Sequence, residues 1–345
     1  VAHLIMRNAA QILALVGFFT ASFLGAAEPI RFVFEKAEMG VPFRITLYAN
    51  DENQARLAAD AAFERVEQLN RVYSDYDPDS ELSRLCHRES AGETVPVSRD
   101  LWRVLVLSRE LSVRSGGAFD VTIGPVVNLW RRARRRGELH SEELLREAMG
   151  RVGWRRMQLV EDKQAVRLEV PEMRLDLGGI AKGVAVDAAL EVLTKHGVES
   201  ALVAASGDIG ASGAPPGRPG WRVEVMALDA PDAPAPREVW LRHSAVSTAG
   251  DTFQRLELGG VRHSHIVDPR TGRAVTDHSL NTVLGPDCTT TDGLETTLAV
   301  LGPDRALELI SATPGTAAYI VRKPRDRVES RESPRWKELA GPGGQ

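Results

Sequence analysis

Cysteine is almost absent: 345 residues contain only Cys86 and Cys288. Two cysteines so far apart make no disulfide framework, and two separate thiols are the expected state even in an oxidising compartment. Lysine is scarce too, at six positions, so nearly all positive charge is arginine. With a net charge of −4 and a pI near 6.1, the chain lacks the basic footprint of a nucleic-acid partner. No Gly-x-Gly-x-x-Gly follows a strand, and no Gly-x-x-x-x-Gly-Lys-Ser/Thr occurs. Gly-x-Ser-x-Gly, His-Glu-x-x-His and Cys-x-x-Cys are missing as well. Rossmann and P-loop nucleotide binding, serine hydrolysis and zinc chemistry therefore have no support.

The N-terminus does carry information. Arg7 precedes an apolar run from Ile12 to Leu24, and the small residues Gly25-Ala26-Ala27 follow. That pattern predicts a secretory signal peptide over residues 1–27, hence an exported protein. The run is shorter than the ~20 apolar residues of a membrane-spanning helix, and no cysteine marks a lipid anchor.

Beyond it, residues 30–323 read as one domain, and the charged, Pro/Gly-rich segment 324–345 as a tail without fixed structure. Helices are predicted over Asn53–Tyr73, from an N-cap at Ser98 to Gly116, over Ser141–Met149, Ala181–His196 and Asp292–Leu301. Strands are predicted over Arg31–Ala49 with a break at Met39–Pro42, and at Met157–Val160, Val166–Val170, Ala201–Ala205, Trp221–Ala227, Glu238–Arg242, Ala245–Ser247 and His263–Val267. The mixed runs lack regular βαβ alternation, so the fold class is α+β.

Four glycine-rich turns each carry an acidic residue. They are Gly116–Asp120, Asp176–Gly183, Ser206–Gly210 and Ser247–Asp251. Each alone reads as a structural turn; together they suggest a ligand bed, because glycine admits close backbone approach. Asp292 and Thr296, four apart at a helix start, project oxygens from one face and suit a hard cation such as Mg²⁺. A capping box of Asp292 with Glu295 is the competing reading, and spacing alone favours the cap. His263 and His265 share one face of the expected strand, without a third metal ligand nearby. A single histidine beside a phosphate site is a natural general base.

These blocks together resemble the ApbE family, the FAD:protein FMN transferases, formerly described as thiamine-biosynthesis lipoproteins. The resemblance runs from Met39 to Gly302 and rests on Met39-Gly40, Tyr76–Ser83, Gly116–Pro125, Asp176–Gly183, Ser206–Asp208, His265–Gly272, and Asp292 with Thr296. It implies a two-layer, T-fold-like arrangement of mainly antiparallel sheet with packed helices. It implies Mg²⁺ held by Asp292, Thr296 and the carbonyl of Gly179, which reverses the preference for a cap. It also implies an FAD site formed by Met39, Tyr76, Ala118, Phe119, Asp120, Asp176, Lys182, Ile266 and Glu295.

The implied reaction moves FMN from FAD to a threonine hydroxyl of an acceptor flavoprotein, such as a respiratory or redox subunit, and releases AMP. His265 is the candidate base, and the setting is the periplasm or the outer face of the inner membrane. An Mg²⁺-dependent FAD pyrophosphatase and a flavin-binding protein without turnover are the alternatives. One departure stands out: Arg131–Arg136 follows Trp130 where the family carries a glycine-rich segment. The run reads as a solvated loop, with recruitment of an acidic partner as the second reading.

Overall fold

The computed structural model describes residues 28–87, 91–251, 255–324 and 327–342, so the expected signal peptide lies outside the described residues. Strands in chain order are β1 (Ile30–Glu38), β2 (Val41–Ala49), β3 (Thr94–Pro96), β4 (Met157–Val160) and β5 (Ala165–Leu168). They continue with β6 (Ala201–Ala205), β7 (Asp208–Ala211), β8 (Trp221–Val225), β9 (Arg237–Leu241) and β10 (Ser244–Gly250). The last are β11 (Arg255–Leu258), β12 (Val261–Ser264), β13 (His278–Gly285), β14 (Ala317–Lys323) and β15 (Glu329–Glu332). Helices are α1 (Glu52–Tyr73), α2 (Glu81–Cys86), α3 (Arg99–Arg114), α4 (Gly124–Arg136) and α5 (Glu142–Met149). They end with α6 (Ala181–Lys195), α7 (Cys288–Leu301), α8 (Pro303–Ser311) and α9 (Trp336–Ala340). Among the described residues no helix is long and apolar enough to cross a membrane.

An antiparallel sheet of eight strands, ordered β1-β2-β6-β7-β10-β13-β14-β15, organises the chain. Helices α1, α6 and α7 pack against it, the α+β arrangement expected. α1 begins where the Asp51 side chain accepts from the amide of Gln54 at 2.8 Å. Its buried stripe of Ala55, Ala58, Ala59 and Ala62 lets α6 approach closely. α3 starts at Ser98, whose hydroxyl accepts from Leu101 N, and Leu101, Leu105, Ser108 and Leu111 face inward as their spacing predicts.

β13 is buried along nearly its whole length because it is covered on both sides. Val283 joins the helical core, while Leu280 and Leu284 meet Trp221, Val239 and Leu241 of the β8–β9 hairpin on the other face.

Three expectations need correction. The arginine run after Trp130 is the second half of α4, not a loop: Gly124 and Pro125 open that helix and Gly137 closes it in the left-handed conformation. The chain beyond Lys323 is not structureless either. β15 pairs with β14, and Trp336 of α9 is 2% exposed against Tyr319. Burying a side chain of that size contributes about 2–3 kcal/mol, which outweighs the charged composition that suggested disorder. The strand expected over His263–Val267 ends at Ser264, so the backbone bends at His265, and His263 instead lies 5.3 Å from the Trp130 ring.

Candidate functional site

The site grows from the seam between α6 and α7. Two aspartates fix the start of α7. Asp287 accepts from Thr290 N at 2.7 Å, and Asp187 of α6 accepts from the amides of Cys288 and Thr289, each at 2.8 Å. Carboxylates there meet both the unpaired amides and the positive end of the helix. The two helices touch so closely that a Cβ on Gly183 would lie 2.3 Å from the carbonyl oxygen of Cys288. Only glycine fits.

This geometry removes the capping box. Asp292 sits in the second turn of α7, and its Oδ2 accepts from the Gly183 amide at 2.8 Å across the seam. Its other oxygen, Oδ1, is buried without a hydrogen-bond partner, and so is Oε2 of Glu295. Asp208, at the start of β7, completes a buried triad in which one oxygen from each residue lies within 4.8 Å of the others. Lys182 bonds Asp208 and lies 3.9 Å from Asp292 Oδ1.

Three carboxylates thus face one ammonium. Burial, then the charge of Asp208, pushes the Asp292 carboxyl up to about 7 against the pull of Lys182. Burial and both neighbouring aspartates push Glu295 well above the usual carboxylate range. Burial works against the charge of Lys182, but Asp292 and Asp208 outweigh it and raise its pKa.

A cavity of about 260 Å³ opens beside this centre. The structure brings Lys182, Glu295, Thr296 and Gly179 into its wall together with His265 and Ile266. Tyr76, Ala118, Phe119, Asp120 and Asp176 join them from segments scattered along the chain. Two expected site residues line neither this cavity nor its larger neighbour: Asp292 lies buried behind Lys182 and Glu295, and Met39, at a φ of 50° in the β1–β2 turn, packs on the core.

Several of these acids already have partners. Asp120 accepts from Thr122 N and Oγ1 and from Trp154 N, so it anchors its own loop. Asp176 accepts from Gly178 N and, at 2.9 Å, from Arg131 Nη2. Arg131 also pairs with Asp75, and its guanidinium lies 4.4 Å from the Tyr76 ring centroid.

Sequence reasoning missed Arg131 and the place of Asp208 in the triad. The Ser206–Gly210 turn had signalled Asp208, but its partners lie far along the chain. Cys86 and Cys288 are both buried and unpaired.

The donors suit a hard divalent cation. Asp292 Oδ1 is a carboxylate oxygen that accepts no hydrogen bond, and Thr296 Oγ1, which donates to Glu295 at 3.1 Å, stands one helical turn further on. A Cβ at Gly179 would lie 3.2 Å from that same hydroxyl, so the bare glycine keeps the space beside it clear.

An antiparallel sheet layered with helices, and a lysine–carboxylate centre in a cavity wall, define a class with known members. The pattern described as the ApbE family matches residues 39–320. The chain belongs to the ApbE family. It is 31% identical to the FAD:protein FMN transferase of Haemophilus influenzae over 84% of this chain and 86% of that protein. It is also 31% identical to the protein of the same name from Vibrio cholerae, over 74% of this chain and 77% of the relative. The apo crystal structure of the Pseudomonas stutzeri flavinyl transferase ApbE superposes with a TM-score of 0.81 at 29% identity, covering 91% of this chain and 98% of that one.

Proposed function

We propose that this protein transfers the FMN part of FAD to a threonine hydroxyl of a partner protein, releasing AMP. The observation that carries the reading is the buried, underpaired triad of Asp208, Asp292 and Glu295, which reaches the cavity wall through Glu295 and the neighbouring Lys182. An excess of buried negative charge calls for a cation, and a dinucleotide pyrophosphate is a fitting companion for one.

Asp292, Thr296 and the Gly179 carbonyl would hold Mg²⁺. When bound, it would neutralise charge on the pyrophosphate oxygens during transfer. The protein groups do the rest. Lys182, held by Asp208, supplies a fixed positive charge beside the phosphates. Phe119 and Ile266 give the flavin apolar surface, and Tyr76, braced by Arg131, gives it an aromatic face.

His265 accepts the proton of the incoming hydroxyl. The threonine oxygen forms a bond to the FMN-side phosphorus, the bridging P–O bond breaks, and AMP departs with its phosphate. The product is a phosphoester-threonyl flavin. The signal-like N-terminus supports action outside the cytoplasm on a redox subunit.

Incubation with FAD, Mg²⁺ and a candidate acceptor tests the reading. Flavin fluorescence on the acceptor band in a denaturing gel is expected. Free FMN and AMP without labelled acceptor would make the protein a pyrophosphatase, and unchanged FAD would make it a binding protein.

A further inference from the structure

A second cavity, of about 370 Å³, lies on the other side of the same wall. Lys182, His265 and Glu295 border both cavities, so the larger one reaches the reacting centre directly. Its remaining surface is different in kind. Val41, Ile209, Val246 and Leu280 give it an apolar side, and among the described residues that line it there is no lysine or arginine besides the shared Lys182.

Two strand edges border it. Val223, Glu224 and Val225 of β8 all line the cavity, although consecutive side chains of a strand point to opposite faces. β8 therefore presents its edge. It pairs with β9 alone, so among the described strands that edge is unmatched. The second edge belongs to β10. Its pairing with β7 ends at Ser247 opposite Asp208, whereas among the described strands Ala249 and Gly250 pair with β13 alone. Ala249 and Gly250 also line the cavity.

Unpaired strand edges are templates for an added extended segment, which gains main-chain hydrogen bonds from them. The geometry points to this cavity as the seat of the acceptor's threonine-bearing segment, bound extended along β8 and the end of β10. That assignment rests on the transfer reading above and adds the route by which the hydroxyl arrives. In-line transfer requires the attacking oxygen opposite the leaving group. Two cavities meeting at His265 provide separate approaches for donor and acceptor. Glu224, with Asp208 and Glu295 deeper in, disfavours acidic residues beside the threonine.

The test uses the full chain with FAD, Mg²⁺ and a synthetic library of nine-residue peptides, each with a central threonine and randomised flanks. Flavinylated peptides are read by mass and fluorescence. The wild type is expected to deplete Asp and Glu beside the threonine. Ala249→Phe, which fills the cavity, and Met226→Trp, at a 44% exposed position on its rim, should each raise the peptide KM at least about tenfold. FAD affinity should stay within about twofold of wild type, because neither residue borders the flavin-side cavity. Unchanged peptide KM in both variants overturns the assignment. So does a parallel loss of FAD affinity, which would give the cavity to the dinucleotide itself. A wild type that yields FMN and AMP but labels no peptide would remove the transfer reading instead.

Discussion

Two ionic assemblies meet at the smaller cavity, one through Arg131 and Asp176 and the other through Lys182 and Glu295. In one, Arg131 is held between Asp75 and Asp176 and stacks on Tyr76. In the other, Lys182 faces Asp208, Asp292 and Glu295, and two buried carboxylate oxygens accept no hydrogen bond. The first holds shape because each of its charges is answered within the fold. The second is incomplete without something from outside. Buried charge is tolerated where it is paired, so a deficit of pairing marks the place where a ligand enters the energetics.

Neutralising one member of each assembly breaks or sharpens that contrast. The largest effect is expected from Asp292→Asn, which keeps the bond to the Gly183 amide but removes a charge. Metal-dependent turnover should fall below detection, while the metal-free protein should gain about 1–3 kcal/mol in urea unfolding. A variant that keeps full turnover would return Asp292 to a purely structural role.

His265 belongs to neither assembly and separates chemistry from binding. His265→Ala should lower transfer by roughly 10²–10⁴-fold with FAD binding intact. An unaffected rate would rule it out as the base.

Arg131→Met should move stability the opposite way from Asp292→Asn. Loss of the guanidinium leaves Asp75 and Asp176 facing one another, at a cost of about 3 kcal/mol. Stabilisation by Arg131→Met would erase the distinction between the two assemblies.

The smallest effect is graded with pH. The folded pKa of Asp292 is raised to about 7, so the native state holds a proton there that the unfolded chain has already released. Its contribution to metal-free stability is therefore fully present below about pH 4 and is lost as pH rises to about 7. Cation affinity should run oppositely, weakening by about tenfold per pH unit below about 7 as protons compete for the carboxylate. Calorimetric titration with Mg²⁺ at several pH values checks this, and a flat profile would exclude Asp292 as a ligand.

Much of this was legible in the sequence, because α1 and α3 declare themselves through apolar spacing and local caps. The cavity residues stood in glycine-rich blocks that carried a family resemblance. What stayed hidden was tertiary. The start of α7 was misplaced because Asp187, more than 100 residues earlier, supplies half of its cap. Arg131 read as a solvated charge because its partners Asp75 and Asp176 lie 56 and 45 residues away. Asp208 needed the β7–α7 contact before it could join Asp292 and Glu295.

The C-terminal segment has a consequence for how the molecule behaves among copies of itself. β15 shields the edge of β14, and Trp336 closes over the same side of the sheet. A chain ended at Lys323, just past the family match, would keep both cavities intact. It would also expose a seven-residue strand whose first five residues, Ala317 to Val321, are apolar or aromatic and otherwise buried. Such an edge recruits its own kind. The last residues would then act as a built-in guard against self-association, measurable as soluble yield and light scattering in place of catalytic rate.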